Sequence, residues 1–206
     1  AAFAYNNLAY INFYLGNYDY SLLTFRKALS ILETLNGELN HSVASTINNI
    51  GNLYENLSNL DSATTYYQRS LHIFQTIYGK NHPQIGGCYN NFGSLCRKKG
   101  MPREALEYHR KALKIYNEIY GTEHPEIATC YHNMGSDFKG LAVYDSSLFY
   151  ATKALQIDLK YYGEIHSKTA SSYGNIGTLY TNMGEYRKAL SYLLRENAIL
   201  LQTTDD

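Results

Sequence analysis

Apolar and small residues recur along this chain three, four and seven positions apart, as in Ile47, Ile50, Gly51 and Tyr54. That spacing marks one buried face of an α-helix. Breaks at Gly16, Ser58, Gly100 and Gly184 are followed by a second helical pattern, of which Ala105, Tyr108, Ala112 and Ile115 are the example. Pro83 and Pro125 suit the first turn of a first helix and Pro102 that of a second, where a missing N–H leaves no bond unmade. The pattern predicts first helices near 1 to 15, 42 to 57, 83 to 99, 125 to 140 and 167 to 183. Second helices follow near 18 to 34, 60 to 77, 102 to 119, 144 to 161 and 186 to 201.

The helix pairs are copies of one another. Gly51, Gly93, Gly135 and Gly177 are each 42 residues apart, and each lies two residues after Asn49, Asn91, Asn133 or Asn175. One period earlier stand Asn7 and Ala9. A second glycine column holds Gly37, Gly79, Gly121 and Gly163, and His82, His124 and His166 follow three residues after the last three. Small residues repeat at Ser21, Ala63, Ala105, Ser147 and Ala189. Columns at one spacing identify a repeat array of about five units, near 1–40, 41–82, 83–124, 125–166 and 167–206. The expected fold is all-α, a single solenoid of antiparallel helix pairs spanning 1–206.

Composition narrows the functional classes. Eighteen basic residues balance 18 acidic ones, which argues against partners held by net positive charge, such as nucleic acid or an anionic membrane surface. Cys88, Cys96 and Cys130 show no paired metal-ligand spacing and are expected to be buried thiols of a reducing, cytoplasmic setting. Sixteen of the 22 tyrosines fall in repeat columns, so most are packing residues with a wet hydroxyl. Tyr10 and Tyr14 remain as ligand contacts.

The order Tyr173-Gly174-Asn175-Ile176-Gly177-Thr178-Leu179-Tyr180, then Gly184-Glu185-Tyr186-Arg187-Lys188-Ala189-Leu190, resembles the tetratricopeptide repeat (TPR). Its 42-residue period and Tyr-Gly-x-x-His-Pro connector are similar to the repeats of kinesin light chains and of bacterial TPR regulatory proteins. The resemblance covers essentially the whole chain. It implies a right-handed superhelix whose first helices line a concave groove, and a protein-interaction scaffold rather than an enzyme. It also implies an alternative, a sensor arm of a larger enzyme such as a caspase-like CHAT protease or a signalling kinase.

The residues on the first helices set the expected ligand. Asn7, Asn49, Asn91, Asn133 and Asn175 persist although asparagine is a mediocre helix former. Its amide carries a donor and an acceptor, the pair needed to hold the peptide unit of an extended chain. In similar TPR proteins the equivalent asparagines form such a ladder; here each amide would alternatively bridge neighbouring helices. Flanking positions Asn48, Asn90, Asn52 and His132 extend the uncharged surface. Arg97, Lys98 and Lys139 are expected to form a basic island for an acidic side chain or a terminal carboxylate.

Nothing points to chemistry. The sequence has no G-x-S-x-G, phosphate loop or H-E-x-x-H motif, and no catalytic residue, metal site or cofactor is expected. His82, His124 and His166 lie too far apart to share a metal and are read as caps on the helices that follow. No apolar run reaches the length of a membrane span. Leu190, Leu193, Leu194, Ile199, Leu200 and Leu201 on the last helix, without a polar cap, lead to the expectation of further repeats or of self-association through the ends.

Overall fold

The computed structural model describes residues 1 to 203. Among them are ten helices and no strand: α1 (Ala2–Tyr14), α2 (Tyr18–Asn36), α3 (His41–Asn56), α4 (Leu60–Tyr78), α5 (Pro83–Lys98), α6 (Pro102–Tyr120), α7 (Pro125–Gly140), α8 (Tyr144–Tyr162), α9 (Ser167–Asn182) and α10 (Tyr186–Thr203). The predicted boundaries hold to within two residues. α2, α4, α6 and α8 run on past the predicted ends because each is stopped by its connector glycine.

The chain divides into two compact units, Ala1–Leu95 and Cys96–Asp206. In the first, Phe25, Ala28, Ile47, Ile50, Tyr67 and Phe74 are buried between the helix pairs. In the second, Ala105, Ala112, Ile127, Met134, Ala154 and Ile176 do the same. Small residues let paired helices meet. The Ser21 hydroxyl donates to the Ala9 carbonyl at 2.8 Å and Ser147 to that of Gly135 at 2.6 Å. A Cβ built on Gly51 would stand 2.6 Å from the Tyr67 ring, closer than a packed interior tolerates. Apolar side chains also reach the surface near both ends of the array: Leu190, Leu194 and Leu201 on α10 are exposed, as are Phe3 and Ile11 on α1 and Leu15 just after it.

Two kinds of turn separate the helices. Within each pair the chain turns through a left-handed residue at Gly16, Ser58, Gly100, Ala142 or Gly184, with φ between 57° and 76°. At Ala142 the next amide, Val143, reaches back to the Phe138 carbonyl, and Ala142 itself bonds Lys139, the double closure of a Schellman turn. Ala142 lacks the turn-like identity that marks its counterparts, and the sequence pattern passes over it. Between pairs, Gly121 adopts φ 76° with ψ −169°, a region open essentially to glycine alone. Ala142→Gly is expected to stabilise the protein by up to about 1 kcal/mol, since alanine sits there against its preference. Gly121→Ala is expected to cost about 1–3 kcal/mol. Urea denaturation of both variants checks the two opposite signs.

Candidate functional site

The five asparagines of the repeat column lie one on each first helix, α1, α3, α5, α7 and α9. Asn7 and Asn175 are exposed; Asn49, Asn91 and Asn133 are half-buried. In the first unit the Asn91 amide donates to the Asn48 side-chain oxygen at 2.8 Å, tying α5 to α3. In the second, Asn175 stands in the same relation to His132, at 3.5 Å from Nδ1. The amide nitrogens of Asn91 and Asn175 therefore face the preceding first helix. Asn6 makes a different link, donating to Thr46 at 3.0 Å.

The other predicted residues divide by unit. Asn49, Asn52 and Asn91 come together in the first unit and line a pocket of about 310 Å³ with Tyr10, Phe13 and Tyr14. Tyr14 is 81% exposed, whereas Phe25 forms a buried wall. Burial raises the Tyr10 hydroxyl above its ordinary range, with Tyr14 adding to the shift and a hydrogen bond to Asn49 opposing it. The Asn52 side chain also lies 2.7 Å from the Tyr67 hydroxyl. In the second unit, His132, Lys139 and Asn175 share a small hollow of about 20 Å³ beside Ser136 and Ala151, large enough for little more than a water. Asn90 is buried, Lys98 is exposed, and neither lines these recesses.

Arg97 does not stand as an uncommitted charge. Its guanidinium donates to Asp137 at 3.2 Å, and Asp137 is 0% exposed. The other Asp137 oxygen lies 2.5 Å from Nδ1 of His109, itself fully buried, whose Nε2 has no hydrogen-bond partner among the described residues. A second buried carboxylate, Asp158, meets His132 Nε2 at 2.9 Å and the Ser172 hydroxyl. The first unit has its own version, in which the Tyr67 hydroxyl donates to Glu55 at 2.6 Å. Burial and the Glu55 charge together push the Tyr67 hydroxyl strongly upward.

Asp137 and Asp158 were not singled out by sequence reasoning, yet the repeat makes them conspicuous. Asp137 occupies the column Ile11, Leu53, Leu95, Leu179, and Asp158 the column Leu32, Phe74, Tyr116, Leu200. An acid interrupting an apolar column was the available signal. Ser172, His132 and Asp158 do not make a nucleophilic triad: serine and aspartate share one imidazole nitrogen, Nε2, whereas the triad needs the ring between them. Ser172 is also fully buried. Of the thiols, Cys88 and Cys130 are buried as expected and Cys96 is only partly so. Burial pushes the Cys88 thiol up to about 12, away from the reactive thiolate.

Tetratricopeptide repeat models match residues 1–75, 42–118 and 89–160, and a further one matches 169–195. The chain belongs to the tetratricopeptide repeat family. No curated protein matches this TPR chain in sequence. Solved structures share its fold: BtubC (BKLC) from P. vanneervenii, with TM-score 0.79 and 19% identity over 96% of this chain and 78% of the other. A putative kinesin light chain from Podospora anserina, with nearly identical TPR-like repeats, gives TM-score 0.74 and 15% identity over 98% and 96%. A Rap protein complexed with competence and sporulation factor gives 0.81 and 18% over 96% of this chain and 54% of that one. No described helix is long and apolar enough to cross a membrane.

The buried polar pair generates a prediction. Asp137→Leu restores the column's usual residue but strands His109 and Arg97, and is expected to cost about 3 kcal/mol, the scale for breaking a buried ion pair. Adding His109→Phe, the residue of the same column at Phe25, should recover more than half of that loss. A double-mutant cycle by urea denaturation reads the coupling.

Proposed function

We propose that this TPR chain is a protein-interaction scaffold that holds an extended peptide against the first helices of its units through the asparagine column. The observation that carries this reading is the column itself: Asn7, Asn49, Asn91, Asn133 and Asn175 occupy one position on every first helix. A ligand gripped by its repeating peptide groups needs donors and acceptors at a repeating interval, and amides supply both. The bond from Asn91 to Asn48 is compatible with that role, because it fixes the amide's orientation and reduces the ordering cost of binding. Tyr10, Phe13 and Tyr14 offer a recess for one larger ligand side chain beside Asn49 and Asn91. The Rap structure contains a Rap protein in complex with a factor, which supports partner binding by this fold by analogy. Lys139 is exposed, whereas Arg97 is matched by Asp137 and has the smaller part.

The test begins with peptides selected on the chain from a random display library at neutral pH. Asn49→Ala with Asn133→Ala should weaken the selected peptides by at least about tenfold, at roughly a factor of five per lost hydrogen bond. Asn49 meets the hydroxyl of Tyr10, a residue that stays 40% exposed, and Asn133 is half-buried, so stability should fall by less than about 1 kcal/mol per site. Calorimetric titration gives the first quantity and thermal unfolding the second. A strongly destabilised double variant with unchanged peptide affinity would assign the column to structure instead.

A further inference from the structure

The connectors into α3, α5, α7 and α9 carry one helix cap in two chemistries. Asn40 accepts a hydrogen bond from the Ser42 amide at 2.8 Å through its side-chain oxygen. His82, His124 and His166 stand at the same column position in the next three repeats. Each accepts the same bond at Nδ1, from Gln84 at 3.3 Å, Glu126 at 3.2 Å and Lys168 at 3.1 Å. A backbone N–H only donates, so each ring presents a bare lone pair at Nδ1 and carries its proton on Nε2. Each ring also stacks on a tyrosine, Tyr78, Tyr120 or Tyr162, with centroids 3.9, 4.0 and 4.4 Å apart.

Asn40 shows that the cap itself needs no ring. What imidazole adds is an acceptor that disappears on protonation in mild acid. A proton on Nδ1 sets N–H against N–H, and it places a positive charge at the positive end of the helix dipole. Both effects have the same sign: the cap is present at neutral pH and lost as the pH falls. The Asn40 amide has no such transition.

We propose that His82, His124 and His166 are protonation-controlled caps that loosen the first turns of α5, α7 and α9 as the pH falls and so weaken the surface those helices present. The second half of this proposal rests on the peptide-binding reading, since α5, α7 and α9 carry Asn91, Asn133 and Asn175; the first half does not.

The surroundings modulate the charge term without restoring the acceptor. His82 neighbours Lys80 and stacks on Tyr78, whose hydroxyl lies 2.9 Å from Nδ1 of His41. His124 has Glu126 at its cap, Tyr161 edge-on at 6.3 Å, and Glu123, which is paired with Lys160. His166 has Lys168 at its cap and Glu164 nearby, paired with Arg195, while Asp158 and Glu126 act on its stacking partner Tyr162. Glu126 is the acidic residue in the first turn of α7. His109 and His132 face the carboxylates of Asp137 and Asp158 and cap no helix, and the test must keep the caps apart from them.

Amide hydrogen exchange, expressed as protection factors, separates them at about pH 7.5 and about pH 5.5, either side of the histidine range. In the native chain, protection of the first turns of α5, α7 and α9 should fall about fivefold in acid, the scale of a lost cap. The first turn of α3, capped by Asn40, should keep its protection. A variant carrying His82→Asn, His124→Asn and His166→Asn should keep all four, because asparagine caps without titrating. An equal fall at α3, or an undiminished fall in the triple variant, overturns the proposal. So does unchanged protection in the native chain. If the triple variant fails to fold, single His166→Asn gives the same comparison at α9 alone. Peptides selected at neutral pH should dissociate in acid from the native chain and stay bound to the triple variant. Acid loosening without any peptide found to bind would leave the caps established and refute the groove reading; equal acid release from both proteins would refute the link between them.

Discussion

Everything in this fold depends on how closely two helices of a pair approach. The second helix of a pair lays a small residue against the carbonyl of a small residue on the first, twelve positions earlier, seen directly at Ser21 on Ala9 and Ser147 on Gly135. The contact tolerates at most a small side chain, as at Ala9. A Cβ at Gly135 would lie 3.3 Å from the Ser147 carbonyl, and one at Gly177 would lie 2.8 Å from Leu193. Close-packed interiors respond to such intrusions with displaced side chains or backbone. The separation of twelve in turn requires the chain to reverse within a few residues, which the left-handed turn at Gly16 or Gly100 provides.

Once that crossing is fixed, the rotation of each helix about its own axis is fixed too. A residue two positions before the small one must then occupy the same angular place in every pair. This is why the asparagines form a column rather than a scatter, and why their links recur: Asn91 reaches Asn48, and Asn175 approaches His132, by the same displacement of 43 residues. The repeat therefore converts one packing constraint into a regular set of surface amides. The aromatic recess of the first unit arises where neighbouring columns, elsewhere mostly polar or charged, hold Tyr10, Phe13 and Tyr14.

The parts of this arrangement set by periodicity were legible from residues alone. Gly51, Ser21 and Ala63 announced the crossing, and Pro83, Pro102 and Pro125 announced the helix starts, because each has a single steric reason to be where it is. His82, His124 and His166 were correctly placed as caps. What escaped was the partner of each polar group. Arg97 looked like part of a basic island because its column is exposed-looking, and only the folded chain brings Asp137 beneath it, 40 residues away in sequence. Asn90 is in the same column as Asn48, yet the first is buried and the second is half-buried. Ala142 escaped for a different reason: its left-handed turn is imposed by the helices on either side rather than preferred by alanine.

Buried polar pairs give the units an individuality that the shared columns would otherwise erase. Repeats with one period present interchangeable apolar surfaces, so hydrophobic burial alone distinguishes poorly between correct neighbours and neighbours shifted by one repeat. Asp137 removes that ambiguity. Shifted by 42 residues, the position facing it would hold Tyr67 or Ala151 in place of His109, and its carboxylate would lose the imidazole that lies 2.5 Å away. Asp158 depends likewise on Ser172 and His132, where the preceding repeat offers Cys130 and Asn90. A buried carboxylate without its partner carries a penalty of several kcal/mol, larger than the gain from any single apolar contact it could make in the shifted arrangement. An apolar set replacing acid and partners together would hold the correct pairing about as well; the acids work by disfavouring the incorrect one.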